Sequence, residues 1–375
     1  MKSRLTQLAL LAASVATLTA ASASANQAGS GAAVPQFRVI PANAPGHAAT
    51  DKAVRLRMPA AQLSQWNGKF RDQHAITRNF VMVGPSPLTN NATTTIPFLV
   101  VPVVMTYTQF SNTVFDPTVD QYSDGETVLQ NFENSPLLNS DIDFKSGGVD
   151  LGNGQYIDAF QRGNFYTKRI RKGNANYHVV LSTPTVLPTL SISVGAGQGV
   201  VEKNPFGTQN VGTYSIGSMD SQINTYIRGH SQVTADTFVF FITHNIFLTS
   251  GGCCIGGYHS ATGAQPGGQT YGYTTLVTDP GSFSQDVSAA SHEIGEWMDD
   301  PFTNNRVGCN DNSILEVGDP LEGRANYGGI KYADHGFTYN LQDLVYLGYF
   351  GAPRGGSVKK LLSFNQLEQG ICPGQ

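Results

Sequence analysis

The six residues Ser-His-Glu-Ile-Gly-Glu at positions 291–296 place two candidate metal ligands four positions apart, with an acidic residue between them. Residues i and i+4 lie on one face of an α-helix, so His292 and Glu296 can bind the same divalent cation. Glu293, one position further round the helix, then reaches a water molecule bound to that cation. This spacing predicts a helix of the kind that zinc hydrolases use.

The residues around this stretch predict an amphipathic helix of about four turns. Ser284 is the expected N-cap, and Asp286 lies in the first turn, where negative charge is favoured. Pro301 prevents the helix from continuing past Asp300. The apolar face, opposite His292, is expected to pack on the core and comprises Val287, Ala290, Ile294, Trp297 and Met298.

The second ligand departs from the usual His-Glu-x-x-His motif, because Glu296 stands where that motif has histidine. A carboxylate is a normal zinc ligand, but it adds negative charge to the site. The alternative interpretation is a solvated, charged helix face that matches the motif by coincidence. Only 13% of the chain is charged, so three titratable groups within five positions favour the metal site.

The segment Leu-Glu-Val-Gly-Asp at 315–319 offers a third ligand. Glu316 follows His292 by 24 positions, about the distance at which one broad class of zinc peptidases has its third ligand. Asp319 is then placed to orient the ring of His292 by a hydrogen bond. We therefore predict one Zn²⁺ per chain, bound by His292, Glu296 and Glu316. Solvated loop acids are the alternative interpretation of the 315–319 segment.

These motifs resemble those of the EXORDIUM-like, or phosphate-induced, family of secreted proteins. That family has His-Glu-Leu/Ile-Ala-Glu, an Asn/Asp-Pro pair and Glu-Ile-Gly-Asp-Leu-Cys-Glu-Gly, and the resemblance spans roughly residues 95–350. A softer match is Gly-Tyr-His at 257–259, which resembles the family segment Cys-Gly-Phe/Tyr-His. The resemblance implies a secreted protein linked with the extracellular matrix. The residues that match position by position are His292, Glu293, Glu296, Glu316, Asp319, Glu322 and Gly323.

The N-terminus has the features of a secretory signal peptide over residues 1–25. Lys2 and Arg4 precede an apolar run at 8–18, and small residues at 23–25 form a cleavage site. Cleavage near Ala25 predicts a secreted chain, extracellular or periplasmic, without a stable membrane anchor. An uncleaved anchor is the alternative, although the apolar run is short for a membrane span.

Beyond the signal peptide, the chain is long enough for one large domain or two smaller ones. A net charge of −4 and the lack of a basic cluster argue against a nucleic-acid partner. Residues 26–95 have the composition of a leader, a linker or a propeptide-like segment, with a short helix near 60–70. Residues 96–375 are expected to form a globular α+β domain.

The C-terminal half has the order of elements expected of a zincin-like metallopeptidase core, at about 215–350. An apolar strand is expected at 237–243 and an alternating strand at 271–277, which a turn at 279–281 connects to the site helix. The predicted fold is thus α+β, with a mixed sheet and an active-site helix after a strand-rich N-terminal portion. We expect 271–277 to be an edge strand to which an extended peptide substrate adds.

The four cysteines, Cys253, Cys254, Cys309 and Cys372, permit two disulfides in an oxidising compartment, in any of three pairings. Cys253 and Cys254 are expected to bond to different partners, because a bridge between adjacent residues is strained. A thiolate metal site is the alternative, but no Cys-x-x-Cys spacing supports it. Disulfides are therefore the favoured interpretation.

Three classes of function are compatible with these residues. The first is a secreted zinc metallopeptidase acting on a peptide or protein, in which Glu293 is the general base; the resemblance adds His259 and Tyr258 as oxyanion donors. The second is a non-catalytic protein that binds an extracellular matrix or cell-wall component and has a structural metal. The third is a glycosidase that uses Glu293 and Glu316 as paired acids. Two carboxylate ligands weaken the acidification of a zinc-bound water, which predicts slow hydrolysis or a structural metal.

Overall fold

Strands make up most of the regular structure of this protein. The computed structural model describes residues 33–72, 74–263, 266–306, 316–347, 350, 352–353 and 360–370. The strands are Gln36–Ile40 (β1), Gln65–Arg71 (β2), Thr77–Val83 (β3), Thr93–Ile96 (β4), Phe98–Tyr107 (β5), Thr113–Phe115 (β6), Ile142–Ser146 (β7), Val149–Gly154 (β8), His178–Leu181 (β9), Thr185–Val186 (β10), Leu190–Val194 (β11), Val201–Lys203 (β12), Asn210–Ser215 (β13), Phe238–His244 (β14), Ile246–Thr249 (β15), Cys253–Ala261 (β16), Thr270–Leu276 (β17), Gly329–Asp334 (β18), Phe337–Gln342 (β19), Lys360–Leu362 (β20) and Glu368–Gly370 (β21). The α-helices are His47–Arg57 (α1), Val128–Glu133 (α2), Tyr156–Asn164 (α3), Ile216–Gly229 (α4) and Ser288–Asp299 (α5), with 3₁₀ turns at Ile170–Lys172, Asp319–Leu321 and Ala325–Gly328.

One 11-stranded mixed sheet forms the centre of the fold, in the order β10-β5-β14-β17-β16-β15-β13-β12. The neighbours β5, β14 and β17 run parallel, whereas β16 is antiparallel to β17 and β15. Three further strands pair outside this path: β6 and β11 with β5, and β1 with β16. The prediction of an α+β fold with a mixed sheet is confirmed.

The sequence of β14, Phe-Val-Phe-Phe-Ile-Thr-His, shows why the sheet is covered on both faces, since every position is buried. Successive side chains in a strand point to opposite faces. Phe240 and Ile242 lie in the core that contains α5. Val239 and Phe241 lie in a second core with α4, on the other face. The strand therefore has no polar face, as expected for a strand between two layers.

Helix α5 crosses β16 and β17 on one face of the sheet. It begins at Ser288, not after Ser284, because Ser284 and Asp286 have left-handed backbone conformations with φ of 59° and 42°. The expected N-cap at Ser284 is wrong, and the helix has 12 residues. It ends at Asp299, before Pro301, as predicted. The predicted apolar face is confirmed, because its members, Val287, Ala290, Ile294, Trp297 and Met298, all lie in one core.

The strands predicted at 237–243 and 271–277 are confirmed within one residue as β14 and β17. The expectation that 271–277 forms an edge is wrong, since β17 pairs with β14 on one side and with β16 on the other. A strand inside the sheet has no free backbone groups for an added peptide. The helix expected near 60–70 is also wrong, because β2 occupies that region and pairs with β3.

Residues 33–95 are built into the fold. Strand β1 pairs with β16 in the central sheet, and α1 packs against α4. The Arg57 guanidinium holds α1 in place by donating to the carbonyls of Ile227, His230 and Val233, at 2.9, 2.7 and 3.3 Å. The predicted signal peptide, residues 1–25, lies outside the described residues. Within the described residues, no helix has the length and hydropathy to cross a membrane.

A disulfide joins Cys253 to Cys254, so the expectation that these neighbours bond to different partners is wrong. Both residues are at the start of β16, where Val34 pairs with their backbone groups. They are the two cysteines of the described residues, and a bridge between neighbours requires no other segment to come close. Cys309 and Cys372 lie outside the described residues.

Candidate metal centre

Helix α5 directs its polar face toward β16 on one side and toward the loop at 316–322 on the other. The side chains of His292, Glu293 and Glu296 are completely buried. Their burial follows from the fold, because α5 has the sheet on one side and β19 on another. These side chains therefore meet one another and the loop rather than solvent.

The first group of candidate ligands consists of His292, Glu296 and Asp319. His292 Nε2 lies 2.9 Å from Glu296 Oε1 and 3.5 Å from Asp319 Oδ1. Two ligands of a tetrahedral zinc ion at bond lengths of about 2.0–2.1 Å are about 3.3 Å apart. The three atoms thus have the spacing of a shared ion. The sequence placed His292 and Glu296 here as ligands, but placed Asp319 only as a residue that orients His292.

The second group consists of His259, Glu293 and Glu296. His259 Nδ1 lies 3.3 Å from Glu293 Oε2 and 3.7 Å from Glu296 Oε2. Burial lowers the pKa of His259 to about 4, so its imidazole is neutral near pH 7 and has a lone pair available for a metal or a proton. Glu296 belongs to both groups and joins them into one cluster.

Two glycines allow the backbone to approach this cluster closely. A Cβ at Gly257 in β16 would lie 2.7 Å from both Glu293 Cγ and Glu293 Oε1. A Cβ at Gly318, in the loop, would lie 2.3 Å from His292 Nδ1. Real Cβ atoms do not make such contacts, so a larger residue would displace Glu293 if it replaced Gly257 and His292 if it replaced Gly318. Gly318 also donates its N–H to Glu296 Oε1 at 3.1 Å.

The cluster contains an unusual concentration of buried polar atoms that have no hydrogen-bond partner among the described residues. Both ring nitrogens of His292 belong to this set. Glu296 Oε1 lies near Nε2 but is not aligned for a hydrogen bond with it. A buried polar atom without a partner costs about 1–3 kcal/mol, and folded proteins rarely retain several together. The carboxyl oxygens of the set are Glu293 Oε1, Glu296 Oε2, Glu316 Oε1 and Glu322 Oε1.

The electrostatics of the cluster also favour a bound cation. Burial alone would lower the pKa of His292, but Glu296, Asp319 and Glu293 outweigh burial and raise it well above its ordinary value. Burial raises the pKa of Glu293, and repulsion from Glu296 and Asp319 raises it further. Burial also opposes ionisation of Glu296, yet His292 lowers the pKa of Glu296 to about 2. The acids thus compete for one positive charge.

Glu316, the predicted third ligand, does lie beside the cluster. Its carboxyl group contacts that of Glu296, and burial followed by the charge of Glu296 raises the pKa of Glu316 well above its ordinary value. Glu316 belongs to neither of the two groups of candidate ligands. Asp319 is the third member of the group with His292 and Glu296, the place predicted for Glu316. Burial raises the pKa of the nearby Glu322 to about 8. The loop at 316–322 therefore brings three acids toward one helix.

Tyr258, predicted as an oxyanion donor, is not brought to this cluster. It precedes His259 in β16, so its side chain points to the opposite face of the sheet. There its hydroxyl donates to Asp220 Oδ1 at 3.4 Å, and its ring stacks on Tyr273. The pair Tyr258 and His259 shows the limit of motif matching, which does not distinguish the two faces of a strand.

Phe37, in β1, forms the cover of the cluster and was not singled out from the sequence. Its ring is 4% exposed and stacks on the imidazole of His292, with 3.7 Å between ring centroids and 22° between planes. The sequence signal was weak, because a lone aromatic residue in an Ala- and Pro-rich leader has no periodic pattern around it. The position of Phe37 over His292 follows from the pairing of β1 with β16, which the sequence did not predict.

No protein-family model matches this chain, and comparisons with curated proteins and with solved structures find no significant match. The similarity to the EXORDIUM-like family therefore stays a prediction from the motifs.

Proposed function

We propose that this protein is a secreted metal-dependent hydrolase, specifically a zinc metallopeptidase with a zincin-like core. The observation that carries the proposal is the buried cluster, in which two histidines and several carboxylates converge without enough hydrogen-bond partners among the described residues. A divalent cation would satisfy these atoms together. The arrangement of α5 across a mixed sheet, with the antiparallel strand β16 beside it, supports the comparison with zincins.

His292, Glu296 and Asp319 are the residues that would hold the ion, and the Glu316 carboxyl group contacts that of Glu296. A zinc ion held there would supply the Lewis-acid chemistry that activates water for attack on a carbonyl. Glu293 is the group suited to take a proton, because its Oε1 has no hydrogen-bond partner in the described residues. His259, at 3.3 Å from Glu293 Oε2, orients that carboxylate. His259 is thus assigned a positioning role.

Peptides or proteins outside the cell are the proposed substrates, since the N-terminal signal predicts secretion. Of the two predicted oxyanion donors, Tyr258 lies away from the cluster, and His259 is the one that the structure places in it. Two carboxylate ligands neutralise a divalent ion, so hydrolysis is expected to be slow.

A second candidate function is a non-catalytic protein that binds an extracellular matrix or cell-wall component. The complete burial of His292, Glu293 and Glu296 beneath Phe37 favours this alternative, because a structural ion needs no access to solvent. In such a protein, Glu293 would have no proton to transfer. The two candidates therefore differ in what Glu293 does, although both require the ion.

Elemental mass spectrometry of the purified protein tests the ion itself. We expect about one zinc per chain in the wild type, and a loss of that zinc in the His292→Ala variant. His74→Ala is the matched control, because its side chain is exposed and lies outside the cluster. A correctly folded wild type that has no metal, after dialysis against zinc, would contradict both candidates.

A further inference from the structure

Strand β1 occupies the position that an added peptide would take beside the cluster. It runs parallel to β16, with Phe37 opposite Gly257 and Val39 opposite His259. The other side of β16 is already paired with β17, and β15 pairs only with its beginning. One side of this stretch of β16 is therefore paired with β17, and the other side is paired with residues 36–40.

The side chains of β1 complement the cluster as those of a bound peptide would. Phe37 covers His292 by stacking on it. Val39 lies two positions further along β1, so it points to the same face as Phe37, and it is paired in register with His259. The segment thus brings an aromatic ring to His292, on the face of β16 that contacts α5.

The contacts of β1 can be separated from those of the residues that follow. Helix α1, which begins at His47, has its own anchors. His47 Nδ1 lies 2.9 Å from the Ala261 carbonyl, and His47 Nε2 lies 3.0 Å from Asp220 Oδ2. Arg57 fastens the end of the same helix to the C-terminal end of α4. Between β1 and α1, the chain is a short turn in which Pro41, Asn43 and Pro45 are exposed. A break in this turn would leave α1 anchored.

We propose that residues 33–40 are a displaceable occupant of a peptide-binding groove along β16, and that hydrolysis of one peptide bond in the turn at 41–46 opens the groove. The groove then binds an extended peptide that places an aromatic side chain over His292. That the bound peptide is a substrate rests on the proposed function, whereas the binding itself requires no metal.

The experiment uses the full chain with a recognition sequence for a specific protease inserted between Asn43 and Ala44. The folded protein is cut, freed of metal, and titrated with a fluorescent peptide of residues 33–41, and binding is measured by anisotropy. We expect saturable binding to the cut chain and none to the uncut chain. A Phe37→Ala peptide should bind at least about tenfold more weakly, because a buried aromatic side chain is lost.

The matched control is a Val34→Ala peptide, since Val34 is 50% exposed and pairs only through its backbone with the start of β16. Its affinity should remain within about twofold of the wild-type peptide. Equal loss for both peptides, or a cut strand that excess labelled peptide does not displace, overturns the proposal. The metal plays no part in these measurements, so a chain without zinc would contradict the proposed function alone.

A second variant tests the cover without cutting the chain. In full-length Phe37→Ala, diethyl pyrocarbonate should modify His292 at least about tenfold faster than in the wild type, because buried side chains react only when exposed. Val34→Ala should react at the wild-type rate. Equal rates in all three proteins would show that Phe37 does not control access to the cluster.

Discussion

Tyr258 and His259 are neighbours in β16, yet their side chains enter two different buried polar clusters. His259 faces α5 and the candidate metal centre. Tyr258 faces α4, where it joins Asp220, His47 and Tyr271 in a group that we call the Asp220 network. The two clusters are both buried and both acidic, and only the sheet separates them.

The clusters differ in how their polar atoms are paired. In the Asp220 network, Tyr271 donates to Asp220 Oδ1 at 2.5 Å and His47 Nε2 lies 3.0 Å from Asp220 Oδ2. The other nitrogen of His47 faces the Ala261 carbonyl at 2.9 Å. Thus both carboxyl oxygens and both imidazole nitrogens have partners.

The candidate metal centre has more acids than its hydrogen-bond donors can satisfy within the described residues. A paired network needs nothing further to be stable, whereas an unpaired one is costly unless a ligand binds. Whether the buried polar atoms have hydrogen-bond partners, rather than burial or residue type, therefore separates a structural cluster from a candidate functional one. Four substitutions test whether the two clusters differ in this way.

The largest expected effect is on catalysis, in Glu293→Gln. If Glu293 is the general base, peptide hydrolysis measured as kcat/KM should fall by about 10²–10⁴-fold with zinc content unchanged. The exposed Glu202→Gln on β12 is the control and should retain full activity. Hydrolysis that persists in Glu293→Gln would place the metal centre with the structural clusters, as would a wild type that binds zinc without hydrolysing peptides.

The second effect concerns the other side of the sheet. Asp220→Asn should lower the free energy of unfolding by about 1–3 kcal/mol, because charge-assisted hydrogen bonds are lost inside the protein. Zinc content should not change, since Asp220 lies across the sheet from the ligands. Urea denaturation and elemental analysis of the same preparation measure both quantities. A loss of zinc in this variant would show that the clusters are coupled, contrary to the comparison.

The third effect is a dependence on pH that arises outside both clusters. Burial raises the pKa of Asp286 to about 7, although Asn340 and the Val287 N–H donate to its carboxylate. Between about pH 4 and 7, the folded chain keeps this proton and the unfolded chain releases it, so stability falls as pH rises. In Asp286→Asn, the slope should become shallower by up to about 1.4 kcal/mol per pH unit.

Urea unfolding at several pH values between 4.5 and 7 measures this slope in the metal-free protein. The control is Asp141→Asn, whose side chain is exposed and should leave the slope as it is in the wild type. An unchanged slope in Asp286→Asn would mean that Asp286 is already ionised in the folded protein. Neutral hydrogen-bond donors would then be sufficient to stabilise the charge of a buried acid. That result would weaken the case that unpaired acids in the metal centre require a cation.

The smallest effect is expected for Tyr258→Phe. The hydroxyl makes a long hydrogen bond to Asp220, so its removal should cost about 0.5–1 kcal/mol of stability. Peptide hydrolysis should be unchanged, because the hydroxyl is on the face away from Glu293. A fall in kcat with normal stability would instead support the oxyanion role that the motif suggested for Tyr258.

Local features of the chain were predictable from the sequence. The 3.6-residue period placed Val287 and four apolar residues of α5 on the core side. A strongly apolar run identified β14 and an alternating pattern identified β17, each within one residue. These predictions succeeded because each depends on the period of side chains along a single element. The start of α5 was missed, since Ser284 and Asp286 adopt left-handed backbone conformations that residue type does not reveal.

Features that depend on pairing between distant segments were not predictable. The candidate ligands His292 and Glu296 and the candidate base Glu293 were nevertheless identifiable from the sequence, because these roles depend on side-chain chemistry and helical spacing. The fold sets which loop acid joins His292 and Glu296, and it is Asp319 rather than Glu316; the fold also turns Tyr258 away and places Phe37 over the cluster. The reason is physical: register and strand order are set by the packing of the whole sheet, and one strand position decides which face a side chain enters.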